Sequence, residues 1–441
     1  MDRRQFAKIA GASAVAMAWD QMSAGAQATA KPNVILILVD DLGWSDLGCY
    51  GSTFCETPNT DRLADQGMRF TDAYAAAPVC SPTRAALLTG RYPLRVGITD
   101  YLRADDALYL SPALATMPKL LGPHGYVSGL IGKWHLMGDY RKRRGDPKLH
   151  GFEEVICSED RYIGPGYYFH PYDHLPGLEA RLEDEYLTDR LNLEAVDFIT
   201  RHKDEPFFLY LSHYAVHTRL VGKRELVEKY SRKPGAGERE NNPALAAMLE
   251  SIDEGVSMVM ARLEEAGIAD NTILIFTSDN GGEHKVTSNA PLRGGKSQLY
   301  EGGIRVPLIV RWPGVVEAGS SSGVPVTSVD FLPTILEMAG AVAEPPPQLD
   351  GESLVPVLTQ TGGLKRDAIF WHYPLDKPHF LGGRSAGAVR QGAFKLIEFY
   401  DTGEVELYDV ANDVGETKDL SAAMPDKATE LRKLLADWRE A

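Results

Sequence analysis

The most informative segment of the chain reads Pro78-Val79-Cys80-Ser81-Pro82-Thr83-Arg84-Ala85-Ala86-Leu87-Leu88-Thr89-Gly90. Pro82 suits the first turn of a helix, the alanines and leucines after it favour helix, and Gly90 is placed to end it. Cys80 therefore lies at or just before a helix N-terminus, where free N–H groups and the helix dipole favour an anion. Arg84 follows about one turn later and can lie on the same side of the helix. These residues predict an activated thiol or an anion-binding site.

Oxygen-bearing side chains follow two apolar runs of strand length. Residues 33–39 and 273–277 show no polar alternation, which is typical of central strands buried on both faces. Ligands bind at the carboxyl ends of strands in open α/β sheets. Adjacent carboxylates there repel each other unless a cation neutralises them, although a solvated pair is the plain alternative. Ca²⁺ or Mg²⁺ suits the oxygen ligands that follow the two runs, which are Asp40, Asp41, Asp279 and Asn280.

Basic side chains follow or lie between other predicted strands. Residues 125–135 are a short strand leading into a turn, and residues 207–212 are a strand followed by histidines. Residues 292–307 are rich in glycine, which lets backbone and side chains approach a ligand closely. Alone, each of these positions would be solvated surface. Lys133 and His135 end a buried strand beside the same sheet edge, which favours a basic site there.

These segments together resemble type I sulfatases, which belong to the alkaline phosphatase superfamily. Cys80-x-Pro82-x-Arg84 followed by Leu-Leu-Thr-Gly resembles the modification signature of that family, and residues 125–135 resemble its second signature. The resemblance implies that a formylglycine-generating enzyme oxidises Cys80 to Cα-formylglycine, whose hydrated aldehyde is the nucleophile. It also implies one Ca²⁺ close to the modified side chain, held by Asp40, Asp41, Asp279 and Asn280.

The resemblance assigns roles to the basic residues as well. With the ion, Arg84, Lys133 and Lys296 would neutralise the sulfate, and Asp279 would assist the attack as a base. His217 with Lys296 would protonate or stabilise the departing alcohol oxygen. His135 would deprotonate the second hydroxyl of the hydrated aldehyde, which expels sulfate. His213 is interpreted as a structural neighbour, and Arg293 and Arg305 as structural ion-pair partners. Arg219 stands where many relatives have a proline, so the loop after His217 is expected to differ.

The implied fold is a three-layer α/β/α alkaline-phosphatase-like domain with a large mixed sheet, spanning residues 29–345. A smaller C-terminal subdomain, residues 346–441, would hold a small antiparallel sheet and a closing helix after the proline run at 345–347. Apolar spacing predicts helices over residues 183–202, 243–267, 326–339 and 429–438. Strands in the C-terminal subdomain are predicted over residues 368–372, 394–400 and 405–408.

Composition bounds the compartment and the partners. The net charge of −15 gives no support for binding to nucleic acid or to anionic membranes. Residues 1–28 read as an export signal, and paired arginines at its start resemble a bacterial twin-arginine signal, with an ordinary secretory signal as the alternative. A periplasmic or secreted protein is therefore expected, with no membrane association once the signal is removed. In an oxidising compartment Cys49 and Cys55 are near enough in sequence to pair, and that question stays open.

The expected substrates are sulfated polysaccharides or their oligosaccharides, with aryl sulfates as artificial substrates. The sugar subsites are expected in the loops at residues 100–106, 162–174 and 372–384, and the basic run at 141–144 is either solvated or collects a polyanion. Two alternatives remain from other classes. One is a phosphodiester or phosphonate hydrolase of the same superfamily, and the other is a catalytically dead, calcium-dependent glycan-binding protein.

Overall fold

Strand β1 (Asn33–Val39) is held from both sides in the computed structural model, which describes residues 31–161, 167–341 and 348–441. Val34, Leu36 and Leu38 pack into one hydrophobic core, and the three residues that alternate with them pack into another. All six side chains are at most 1% exposed. Burying an aliphatic side chain contributes about 1.5–3 kcal/mol. The apolar run therefore forms a central strand, as the sequence predicts.

The described residues form fourteen strands and eleven α-helices. The strands are β1, β2 (Met68–Phe70), β3 (Ala73–Tyr74), β4 (Val127–Gly132), β5 (Glu154–Ile156), β6 (Phe207–Ser212), β7 (Thr272–Ser278), β8 (Leu308–Arg311), β9 (Ser320–Ser322), β10 (Val326–Thr327), β11 (Ala368–Tyr373), β12 (Ala386–Gln391), β13 (Phe394–Phe399) and β14 (Val405–Asp409). The helices are α1 (Pro58–Asp65), α2 (Cys80–Thr89), α3 (Pro93–Val96), α4 (Met117–Leu121), α5 (Leu187–His202), α6 (Arg224–Ser231), α7 (Pro243–Glu265), α8 (Glu301–Ile304), α9 (Phe331–Met338), α10 (Val355–Leu358) and α11 (Pro425–Glu440).

The large sheet is mixed and has eight strands in the order β5-β4-β6-β1-β7-β8-β2-β9. Strand β1 pairs in parallel with β6 and β7, whereas β8 runs antiparallel to both of its neighbours. Helices α5 and α7 cover one face, and α2 and α9 contribute to the core on the other face. This confirms the three-layer α/β/α architecture. Parallel pairing brings the carboxyl ends of β1, β4, β6 and β7 to one edge.

A separate four-stranded antiparallel sheet, in the order β11-β12-β13-β14, follows in the C-terminal region. One face packs on Tyr74 and Val79, and the other packs on Leu431 and Leu435 of α11. The predicted small sheet with a closing helix is therefore confirmed. The boundary predicted at residues 345–346 and the export signal at residues 1–28 both lie outside the described residues, and from Pro32 onward the chain forms one unit.

A buried ion cluster joins this small sheet to a segment of the larger domain. Lys395 of β13 binds Glu301 at 2.9 Å and Glu416 at 2.8 Å, and all three side chains are at most 1% exposed. Burial raises the pKa of Glu416 to about 7, and the neighbouring Glu301 adds to the rise while Lys395 opposes it. Because Glu301 follows closely after Lys296, the cluster anchors the glycine-rich segment that carries this lysine.

Two predictions about secondary structure are wrong. Residues 326–339 form an α-helix only from Phe331, because β10 takes up the start of the segment and the Thr327 N–H donates to Asp330 Oδ2 at 2.8 Å where the helical turn begins. Strand β12 is absent from the prediction, since its Ala-Gly-Ala start carries little strand propensity. Its glycine is needed for packing: a Cβ on Gly387 would lie 2.1 Å from the Tyr400 hydroxyl.

None of the helices in the described ranges combines the length and the apolar character that crossing a membrane requires.

Candidate active site

Cys80 is the first residue of α2, as the sequence predicts. Val79 before it is extended, and the helix ends at Gly90, whose φ of 65° is left-handed. The Cys80 side chain is buried, and its Sγ lies 3.4 Å from Asp40 Oδ1. Burial and the negative charge of Asp40 raise the pKa of the Cys80 thiol far above its ordinary value. Burial therefore favours the neutral thiol in the unmodified residue.

Four predicted metal ligands meet at the ends of β1 and β7. Val39 pairs with Ser278 in the parallel register, so the residues that follow the two strands lie side by side. Ligand atoms of Asp40, Asp41, Cys80 and Asp279 all lie within 4.8 Å of one another. Asn280 donates from Nδ2 to Asp41 Oδ1 at 2.8 Å, and its buried Oδ1 has no hydrogen-bond partner among the described residues. Carboxylate oxygens and an orphaned amide oxygen fit a hard cation such as Ca²⁺.

Arg84 holds one of these carboxylates from behind. Its Nε donates to Asp279 Oδ2 at 2.9 Å, and its Nη1 donates to Ser212 Oγ at 2.6 Å. Burial and repulsion from Asp40 nevertheless raise the pKa of Asp279 to about 6. Burial and the neighbouring carboxylates together therefore outweigh the arginine, and a bound cation would stabilise the ionised form of Asp279.

Two buried lysines face the same carboxylates. Lys133 Nζ lies 2.5 Å from Asp40 Oδ2, and Lys296 Nζ lies 2.6 Å from Asp41 Oδ2. Burial lowers the pKa of each lysine, but the facing carboxylate and the other anionic groups of the site together outweigh it, so the net shift of the pKa is upward. Both ammonium groups are therefore charged, and they form the cationic part of the site.

Two histidines complete the group. His135 Nε2 lies 2.9 Å from the Leu102 carbonyl, and His217 Nδ1 lies 2.6 Å from the Thr218 carbonyl, so each of these nitrogens carries a proton. Burial, together with Lys133, holds the pKa of His135 well below its usual range. Burial and Lys296 lower the pKa of His217 to about 4, although Asp41 opposes the shift. Both rings are neutral at pH 7 before an anion binds.

These side chains border one cavity of about 120 Å³. Cys80, both lysines and both histidines line it, and three aromatic residues complete its wall: Tyr101, His379 and Phe380. Arg84 does not line it, because its fully buried side chain lies behind Asp279. The cavity thus joins a cationic pocket to a residue at a helix N-terminus, an arrangement that binds an anion and presents it to residue 80.

A family model described as Sulfatase matches residues 32–341, and one described as N-sulphoglucosamine sulphohydrolase, C-terminal, matches residues 295–440. The chain belongs to the sulfatase family. A sulfatase of Formosa agariphila is 34% identical over 480 aligned residues, which cover 91% of this chain and 86% of that protein.

Two solved structures extend the similarity to three dimensions. One is the crystal structure of Ps i-CgsB in complex with k-i-k-neocarrahexaose, whose sequence is 32% identical to this chain and whose TM-score is 0.83. The alignment covers 93% of each chain. A structure in complex with its substrate, D-glucosamine-2-N,6-O-disulfate, is 26% identical with a TM-score of 0.72, over 93% of this chain and 98% of that one. The present sulfatase is accordingly a sulfuric ester hydrolase with the fold of its superfamily.

The remaining predicted residues of the sulfatase fall outside the cavity. His213 is buried without lining it, and Arg293 and Arg305 serve the structure, with Arg305 bound to Asp72 at 2.9 Å. The basic run at 141–144 is exposed, and the four cysteines are free thiols, Cys49 and Cys55 included.

The predicted substrate loops contribute only in part. Residues 100–106 supply Tyr101, and residues 372–384 supply His379 and Phe380. Two other members of the second loop point elsewhere, since His372 binds the Tyr400 hydroxyl and Arg384 binds Asp401. In the third loop, residues 162–166 lie outside the described part of the chain.

The sequence gives no signal for Glu159, which shapes the turn that presents Lys133 and His135. Its carboxylate accepts the Trp134 N–H at 2.9 Å, the His135 N–H at 2.5 Å and the Tyr214 hydroxyl at 3.0 Å. His135 needs this support because its φ of 54° is left-handed. A single glutamate in a loop after β5 looks like solvated surface, but it is only 1% exposed.

We expect Glu159→Ala to lower kcat without unfolding the sulfatase, because the two buried N–H groups lose their acceptor and the turn moves. A displacement of about 1 Å in a positioned group can reduce the rate by roughly 10²-fold. Measuring kcat and KM for a sulfate ester, with a thermal melt of each variant, checks this. Glu159→Gln keeps one acceptor oxygen and should recover part of kcat. Glu154→Gln, a partly exposed neighbour bound to Arg201, is the matched control, and a wild-type kcat in Glu159→Ala would remove the positioning role.

Proposed function

We propose that this protein hydrolyses sulfate esters of sulfated glycans or their oligosaccharides, with Cα-formylglycine at position 80 and one bound Ca²⁺. The observation that supports this most is the placement of Cys80 in one cavity with Lys133 and Lys296, beside the carboxylate cluster. The relative bound to a disulfated glucosamine supports the class of substrate. Export through residues 1–28 would bring the enzyme to such polymers outside the cell.

The ion would be held by the side chain at position 80 together with Asp40, Asp41, Asp279 and Asn280. When bound, Ca²⁺ supplies Lewis-acid stabilisation of the negative charge on the sulfate oxygens. The hydrated aldehyde at position 80 supplies a hydroxyl that attacks sulfur and a second hydroxyl through which sulfate is released.

The protein's own side chains neutralise the substrate. A sulfate monoester is an anion that repels anionic nucleophiles, and Lys133 and Lys296 meet it with two buried positive charges. Arg84 does not line the cavity and acts by holding Asp279 in place. The lysines therefore bind and orient the sulfate, and the arginine maintains the ligand geometry.

Protons are handled by the histidines and by Lys296. Lys296 is charged and can donate a hydrogen bond to the departing alcohol oxygen. His217 is neutral in the free enzyme and becomes a donor only when a bound anion raises its pKa. His135 is neutral and lines the cavity, so it can accept the proton whose removal lets sulfate leave.

A panel of sulfated mono- and oligosaccharides, assayed for released sulfate, tests the proposal. Protein from its native host should desulfate at least one sugar, and matched phosphate and phosphonate esters should react far more slowly. Faster turnover of the phosphorus esters would favour a phosphohydrolase of the same superfamily. Binding of sulfated sugars without release of sulfate would indicate a dead, glycan-binding protein.

A further inference from the structure

Phe380 is the most exposed large hydrophobic residue in the described part of the chain, with 73% of its surface accessible. Single exposed apolar residues are common and need no explanation. Phe380 differs from the others because it lines the catalytic cavity together with Cys80 and the two lysines. An exposed aromatic ring at the edge of a charged pocket is a candidate contact for a bound ligand.

The exposure of the lining residues increases from the inner end of the cavity to its outer end. Cys80, Lys133 and His135 are at most 5% exposed, so they form its floor. The His217 side chain is 31% exposed, and Phe380 is more exposed still. A sulfate ester seated among the lysines would therefore extend outward from this floor toward the exposed rim, where His217 and Phe380 lie.

Neighbouring residues hold Phe380 in a defined wall, which consists of Tyr101, His379 and Phe380. The His379 ring stacks on Phe380 with centroids 4.3 Å apart, and the Tyr101 ring meets His379 edge-on at 5.5 Å. Lys285 Nζ lies 5.6 Å from the Phe380 centroid, and with both neighbours in place the residue is still 73% exposed.

The backbone next to the wall packs against the segment that carries Lys296. A Cβ on Gly383 would lie 2.0 Å from the carbonyl oxygen of Ser297, so only glycine permits this approach. Gly382 donates its N–H to the His379 carbonyl at 2.8 Å, which closes the turn. The distance between the wall and the sulfate-binding lysine is thereby fixed by backbone contacts.

We propose that the wall is the subsite for the sugar ring that carries the scissile sulfate, with Phe380 as its stacking surface. This inference rests on the proposed function. An aromatic face is electron-rich and attracts the polarised C–H groups on the flat side of a pyranose, which leaves the ring hydroxyls free at its edge. Leu381 donates its N–H to His379 Nδ1 at 3.2 Å, so the proton of the neutral His379 ring is on Nε2. This Nε2–H can donate a hydrogen bond to a hydroxyl at the edge of the sugar.

Kinetics of Phe380→Ala on a sulfated sugar that the wild-type enzyme desulfates, with inorganic sulfate as a competitive inhibitor, test the proposal. Losing most of an aromatic contact should raise KM for the sugar by about tenfold. The inhibition constant of inorganic sulfate should stay within about twofold of wild type, because sulfate occupies only the lysine floor. Phe380→Trp keeps a flat face and should restore KM, whereas Phe380→Leu should not.

Leu182→Ala is the matched control, since Leu182 is 56% exposed but does not line the cavity. An unchanged sugar KM in Phe380→Ala, with wild-type turnover intact, would overturn the stacking subsite alone. A wild-type protein that releases sulfate from no sugar in the panel would overturn the proposed function, and the subsite with it.

Discussion

Cys80→Ala and Cys80→Ser should each lower the turnover of sulfate esters by at least about 10⁴-fold, the scale of losing a covalent nucleophile. Alanine has no group that can be oxidised to an aldehyde, and we expect an enzyme that oxidises the cysteine thiol to leave a serine hydroxyl unchanged, so neither variant offers the two hydroxyl groups on which attack and release depend. The lysines and the four oxygen ligands of the ion stay in place, because among the described residues the Cys80 thiol hydrogen-bonds only with Asp40, at 3.4 Å. Sulfated ligands should therefore still bind.

The measurement is sulfate release per enzyme molecule, with ligand binding followed separately by calorimetry. Cys157→Ala is the matched control: this cysteine is also buried, and it does not line the cavity. Its turnover should stay within about twofold of wild type, as expected for a change away from the reacting atoms. Substantial turnover by Cys80→Ala would mean that another group attacks the sulfur.

Asp41→Asn should abolish the stabilisation of the protein by Ca²⁺ and, with it, most of the activity. A ligand that binds only the folded state adds about 2.7 kcal/mol to the free energy of unfolding when its free concentration is about a hundred times its Kd. Wild-type protein treated with a chelator should lose activity and melt a few degrees lower, and Ca²⁺ should restore both. Asp41→Asn removes one anionic ligand and also deprives Lys296 of its carboxylate partner.

A melting curve with and without Ca²⁺ separates metal binding from catalysis. The matched control is Asp46→Asn, because Asp46 is also buried near the site but binds Gly43 and Thr287 instead of joining the cluster. Burial raises the pKa of Asp46, so its neutral amide counterpart should be tolerated. If Ca²⁺ raised the melting temperature of Asp41→Asn as much as that of the wild type, the ion would bind elsewhere.

Strand-length apolar runs were sufficient to predict the centre of the fold. Residues 33–39 and 207–212 form strands with the predicted bounds, because side chains buried on both faces leave no room for alternation. The ligands at their ends could be placed for the same reason, since parallel neighbours deliver their carboxyl ends to one edge. The sequence motifs and the expected parallel pairing of the strands therefore placed the same residues at one edge of the sheet before any distance was known.

Contacts between distant segments could not be predicted from the sequence. Glu159 acts through backbone N–H groups more than twenty residues earlier, and no spacing rule connects them. The wall joins Tyr101 to residues some 280 positions later through a loop whose course depends on Gly383. Arg84 was predicted to help neutralise the sulfate, and no sequence pattern indicated that its guanidinium binds Ser212 and Asp279 outside the lining of the cavity.

The chemical identity of residue 80 is the most direct test of the account. Mass spectrometry of the peptide that contains this residue, on active protein from the native host, distinguishes a thiol from an aldehyde. We predict a peptide lighter than the cysteine form by the difference between the two groups, which also reacts with a hydrazine probe. A preparation that releases sulfate at full rate while residue 80 is entirely thiol would contradict the account.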